Sequence, residues 1–161
     1  MNRMFVGVGI FGLVLCGMIA SAAAERVSFE GVQYYTINPE VHVFKSGSAV
    51  IHWKGQAIMA TKDPNSIFQN LRLDCAGVID SRKEGIWKGD GYCDHTDRDG
   101  DVWVGHWWGD NTMQTGKFEV IHGTGKYMGA TGGGTAKYTE LKPGTNGSAV
   151  VQNTGFIELK R

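Results

Sequence analysis

Polar and apolar residues alternate through much of this chain. Ile51, Trp53, Ala57 and Met59 fall on one parity, and His52, Lys54 and Gln56 on the other. A period of two is the mark of a half-buried strand, so Ala49 to Ala60 is expected to be one. Asn70 to Asp80 follows the same rule, with Leu71, Leu73, Cys75 and Ile79 facing one way and Arg72, Asp74 and Asp80 the other. Val27 to Thr36 alternates more loosely but is rich in Val, Phe and Tyr, which favour strands. Asn38-Pro39 is expected to break it, leaving Val41 to Phe44 as a short strand or part of a loop. Further strands are expected over Ile86 to His95, Val102 to Trp108, Lys117 to His122, Thr135 to Leu141 and Ser148 to Leu159. The last carries Ala149, Val151, Ile157 and Leu159 on one face.

Turn-forming clusters separate these runs, among them Lys45-Ser46-Gly47-Ser48, Lys62-Asp63-Pro64-Asn65-Ser66, Ser81-Arg82-Lys83-Glu84-Gly85, Gly109-Asp110-Asn111 and Lys142-Pro143-Gly144-Thr145-Asn146-Gly147. Gly123 to Gly134 is too rich in glycine for a regular element. Turns are expected there, with a short helical turn at Lys126 to Met128. About eight strands and no helix of ordinary length imply an all-β sandwich or a closed barrel, and closure would remove exposed strand edges.

The first residues obey a different pattern. Arg3 precedes an almost wholly apolar run, Phe5 to Ile19, and Ser21-Ala22-Ala23-Ala24 supplies small residues for cleavage before Glu25. That is the pattern of a secretory signal peptide, expected over residues 1–24, with one domain expected over residues 25–161; an uncleaved N-terminal anchor is the alternative. The apolar run is shorter than the roughly 20 residues a spanning helix needs. After Glu25 nothing is apolar and long enough to span as a helix, so no membrane association is expected once the leader is removed.

Charge excludes one class of partner. The 161 residues carry 16 Lys+Arg and 16 Asp+Glu, and loss of Arg3 would leave a net charge of about −1. No basic block stands out, and nucleic-acid binding depends on one. Of three cysteines, Cys16 leaves with the leader. Cys75 and Cys93 each lie nine residues from Glu84, so a hairpin centred there sets them directly opposite. Opposed residues of an antiparallel pair can reach disulfide distance, and an exported protein would oxidise them. Two free thiols are the alternative.

The passage Ile121-His122-Gly123-Thr124-Gly125-Lys126-Tyr127, followed by Gly129 and Gly132-Gly133-Gly134-Thr135, resembles the Gly-Thr-Gly-Lys-aromatic passage of bacterial secreted proteins in the allene-oxide-cyclase and dirigent barrel group. Asp99-Gly100-Asp101 before a strand, with a cysteine just upstream, is similar to the same set. The resemblance covers roughly Cys75 to Tyr138. It implies a single eight-stranded antiparallel β-barrel with a central cavity, allene-oxide-cyclase-like or lipocalin-like. Group members include cyclases, proteins that guide stereochemistry and many others of no assigned role. No cyclase catalytic residue falls on a matching position here.

Candidate chemistry is sparse. The glycine-dense passage is not a phosphate loop: Val120 stands where the first glycine belongs, and Tyr127 where Ser or Thr should follow Lys126. A structural role at a barrel corner, with Tyr127 as a plug, fits better. Asp97, Asp99 and Asp101 are spaced to suit a hard cation such as Ca²⁺, but the glycine comes after the second Asp and no bidentate Glu follows. A solvated acidic turn and no cofactor is the reading adopted. His42, His52, His95, His106 and His122 include no His-x-x-x-His pair, and no Ser/His/Asp triad can be assembled.

The tryptophans are the strongest signal of a pocket. Trp103 and Trp107 share one face of their strand, His106 and Trp108 the other; Trp53 and Trp87 lie on the apolar faces of theirs. Trp53, Leu71, Leu73, Trp87, Trp103 and Trp107 are therefore expected to line a lumen, which small barrels either fill or use for one ligand. The function expected is a secreted or periplasmic barrel binding a small, partly apolar molecule. A cyclase or isomerase using the same cavity, and a structural or protein-interaction module, are the alternatives.

Overall fold

Eight strands close on themselves in chain order. The computed structural model describes residues 24–82, 85–110, 115–140 and 147–160. It contains β1 (Glu25–Val43), β2 (Ala49–Thr61), β3 (Leu71–Ser81), β4 (Trp87–Thr96), β5 (Val102–Asp110), β6 (Gly116–Gly123), β7 (Thr131–Glu140) and β8 (Gly147–Leu159). Each pairs antiparallel with the next, and β8 returns to β1. A 3-10 turn over Gly125–Tyr127, one residue from where the sequence set it, is the one helical element among the described residues.

The two ends of the barrel differ. At one end Met59, Leu71, Leu73 and Ile157 point inward from their strands and are fully buried. Phe68 folds in from the β2–β3 connection, and Tyr127 from the 3-10 turn, to plug the same end. Each such side chain contributes roughly 1.5–3 kcal/mol of burial. The other end, where β1–β2 and β3–β4 turn back, carries no comparable plug among the described residues.

Two sequence expectations are corrected. Asn38-Pro39 does not interrupt β1, which runs on to Val43. Its pairing with β2 continues on both sides of the proline, Pro39 lying opposite Trp53. A proline removes only its own ladder donor, and the flanking residues keep the strand in register. The run Gly132-Gly133-Gly134, expected as turns, instead belongs to β7. Glycine is required there because neighbouring groups sit where its side chains would be. A Cβ on Gly133 would come within 2.6 Å of the Phe118 carbonyl oxygen, and the Phe118 ring lies 2.8 Å from that position on Gly134 and 2.6 Å from it on Gly155. The ring supplies the packing that the glycines lack, which preserves the strand.

Gly125 has φ of 51°, and a side chain there would collide with the Asp101 carboxylate. Gly125→Val and Gly133→Val are each expected to remove most soluble, cooperatively melting protein. Near-UV circular dichroism of the purified variants checks this. Native spectra from both would overturn the structural reading of these glycines.

The hairpin symmetry holds: Cys75 lies opposite Cys93 and the two form a disulfide, buried on the inner face. Residues 1–23, where the leader was expected, Lys83 and Glu84 of the β3–β4 turn, Asn111, and residues 142–146 of the last turn lie outside the described residues.

Candidate functional site

Above the plugged end the barrel holds a cavity of about 380 Å³, the size of a small-molecule site. Phe29, His95, Trp103 and Phe118 form its floor, Trp53 and Trp107 its wall, and Ile37, Ile51, Trp87 and Tyr138 its upper part. Trp53 and Trp107 are 5.5 Å apart between ring centroids, and Trp87 meets Tyr138 edge-on at 6.5 Å.

Glycines explain why so many rings leave space. Gly77, Gly89 and Gly91 lie on adjacent strands, with Gly77 opposite Gly91. A Cβ at Gly91 would come within 2.7 Å of the Trp107 ring, at Gly77 within 2.8 Å and at Gly89 within 3.1 Å. The indole therefore rests against bare backbone rather than projecting into the lumen. Gly105 is covered in the same way by Trp103 and His95. The aromatics pave the wall, and the volume that side chains would take remains open.

Among the described residues no Asp, Glu, Lys or Arg lines the cavity. His95 is 5% exposed, and burial drives its pKa from 6.5 down to about 3 against hydrogen bonds to the Cys93 and Trp103 backbone. It is neutral at pH 7, stacked on Trp103 at 3.5 Å, with Nδ1 3.1 Å from the Cys93 carbonyl. Burial also raises the Tyr35 hydroxyl well above its usual range and pushes Tyr138 up to about 12. Tyr35 donates to Gln33 Oε1 at 2.9 Å, and its oxygen is 3.6 Å from Cys75 Sγ. The described residues of the cavity thus offer hydrogen bonds, aromatic faces and a disulfide, and no fixed charge.

Of the residues expected from sequence, Trp53, Trp87, Trp103 and Trp107 line the cavity. Leu71 and Leu73 point inward but sit in the packed end, away from the cavity lining. Gln33, Tyr35, His95, Tyr138 and Asn153 line it and were missed. A signal for Asn153 existed: it shares the parity of Val151 and Ile157, a polar residue on an apolar face. Tyr34 and Tyr35 are adjacent, so sidedness in β1 was not readable; Tyr34 faces out, 58% exposed.

The acidic turn has partners of its own. Asp97 Oδ1 accepts the backbone N–H of Asp99 at 2.9 Å and of Asp101 at 3.1 Å. Lys126 Nζ pairs with Asp97 at 2.8 Å and Asp99 at 2.5 Å, and Asp101 accepts the Lys126 backbone N–H at 3.1 Å. Burial would raise the Asp97 carboxyl, but hydrogen bonds from Lys126 and the Asp99 backbone hold it below its usual range. Together these contacts tie the β4–β5 turn to the 3-10 turn. Outside the barrel His106 stacks between Tyr92 and Trp108 and lies 2.7 Å from Asp90, which raises its pKa.

No protein-family model matches the chain, and no curated protein does. Solved structures do. The pterocarpan synthase dirigent protein GePTS1 is similar over 87% of this chain and 93% of its own, with TM-score 0.59 and 12% identity. The pterocarpan synthase dirigent protein PsPTS1 is similar over 85% and 97%, with TM-score 0.54 and 13% identity. The barrel has the dirigent fold. At such identity the likeness is one of architecture, and the lumen of this barrel is described by its own residues alone.

Proposed function

We propose that this protein is an exported dirigent-like barrel that binds one small, partly apolar molecule in its lumen. The observation that carries the reading is the cavity of about 380 Å³ walled by Trp53, Trp103 and Trp107. Aromatic walls with a few placed polar groups are what a small-molecule site requires. Export to an oxidising compartment, periplasmic or extracellular, is supported by the leader pattern at residues 1–24 and by the Cys75–Cys93 disulfide.

Titration of intrinsic tryptophan fluorescence against a panel of apolar metabolites tests the proposal. A saturable change with micromolar midpoint is expected, weakened about tenfold or more by Trp107→Ala, since an aromatic wall residue contributes on the order of 1.5 kcal/mol or more of contact. A panel that leaves the spectrum unmoved would end the reading.

The synthase activity named for both structural neighbours favours a second reading, a cyclase or isomerase in the same cavity. It would have to work through shape and neutral hydrogen-bonding groups, because no carboxylate among the described residues lines the lumen. Turnover of an unsaturated substrate, lost in His95→Phe, separates it from binding alone.

A further inference from the structure

Two amides sit together deep in the lumen. Gln33 and Asn153 are each 5% exposed and both line the cavity. In the β1–β8 ladder Gln33 lies opposite Val151, and Asn153 opposite Gly31. The two amides are therefore diagonal neighbours on the inner face, close enough for long side chains to share one partner.

Their own hydrogen bonds are incomplete. Gln33 Oε1 accepts from the Tyr35 hydroxyl at 2.9 Å, but Gln33 Nε2 finds only the Met59 sulfur at 3.9 Å. Asn153 Nδ2 reaches its own strand's Val151 carbonyl at a long 3.4 Å, and its oxygen has no partner among the described residues. Buried amides are expensive to leave unpaired. Two of them, on adjacent strands of the interior, present a free donor beside a free acceptor.

Resting on the reading of the lumen as a binding site, we infer that Gln33 and Asn153 are its specificity-determining pair and select an uncharged, ring-bearing ligand that carries a carbonyl with an adjacent N–H, as in a carboxamide or lactam. The ligand carbonyl accepts from Gln33 Nε2 while its N–H donates to Asn153 Oδ1. The ring lies against Trp53 and Trp107. An anion is rejected, because no cation among the described residues lines the cavity and a bare carboxylate would lose its hydration without return.

A matched series of probes tests this by calorimetric titration at pH 7. 2-Naphthamide has both groups, methyl 2-naphthoate has the acceptor alone, naphthalene has neither, and 2-naphthoate is charged. The amide is expected to bind about tenfold tighter than naphthalene, with the ester between them and the carboxylate weakest, since each added hydrogen bond is worth a few-fold. Asn153→Leu is expected to remove the advantage of amide over ester. Gln33→Met is expected to remove that of ester over naphthalene. Should either variant fail to melt cooperatively, the wild-type order stands as the test, supported by movement of the Gln33 and Asn153 side-chain amide signals in NMR when 2-naphthamide is added. Equal affinity for amide, ester and naphthalene would mean that water satisfies the two amides; the inference falls and the apolar binding site survives. If no probe binds at all, the binding reading falls and the inference with it.

Discussion

Acidification from pH 7 to pH 4 is expected to destabilise the barrel by about 3 kcal/mol through His95 alone. In the folded state burial holds this imidazole's pKa at about 3, against 6.5 for the free side chain. Between those values the unfolded chain takes up a proton and the folded one does not. The stability linked to His95 is therefore complete above about pH 6.5 and is lost as pH falls towards 3. The ring has no room for a charged form: it lies 3.5 Å from Trp103, with its Nδ1 bonded to the backbone. Asp97, held below its usual pKa, adds loss of the same sign at the acid end. Urea unfolding at pH 7 and pH 4 measures the change, and His95→Phe should abolish most of it. Equal slopes with pH for wild type and variant would show that His95 is not the group responsible.

Loss of the Cys75–Cys93 bond is expected to destabilise the fold by about 3 kcal/mol. The bond closes a loop with a sequence separation of 18, and a cross-link of that span restricts the unfolded chain by about that amount. For a domain of this size the melting temperature should fall by about 10 °C. The double variant Cys75→Ala, Cys93→Ala, compared with wild type under oxidising conditions, reads the effect directly. It should also loosen the floor of the cavity, because Tyr35 rests against both sulfurs, at 3.6 and 3.9 Å. A melting temperature unchanged within error would mean that the cross-link does not restrict the unfolded chain by the amount its loop length implies.

Local pattern carried much of this structure and failed at identifiable places. Periodicity located β2, β3 and β4 within a residue or two, because their side chains alternate cleanly between interior and water. It failed at Pro39 because a proline removes only its own ladder donor, and β1 stays paired with β2 on both sides of it. It failed at Gly132-Gly133-Gly134 because strand propensity reports side-chain packing, and the packing comes from Phe118 on another strand. Among cavity residues the four tryptophans were legible as apolar-face aromatics. Tyr35 was not, since it follows a second tyrosine, and His95 was legible only as a histidine beside an acidic turn.

What the sequence determined by itself is the all-β character, the sidedness of most strands and the Cys75–Cys93 pairing, all of which follow from periods and symmetries short enough to be read along the chain. Tertiary structure alone decided the depth of each inward residue. Leu71 and Trp53 have the same alternation, yet Leu71 is sealed in by Phe68 and Tyr127 while Trp53 looks onto open space. The reason is that depth depends on which loops fold back into the barrel, and on which ring meets which glycine across the ladder. Those relations join residues far apart in sequence and leave no periodic trace.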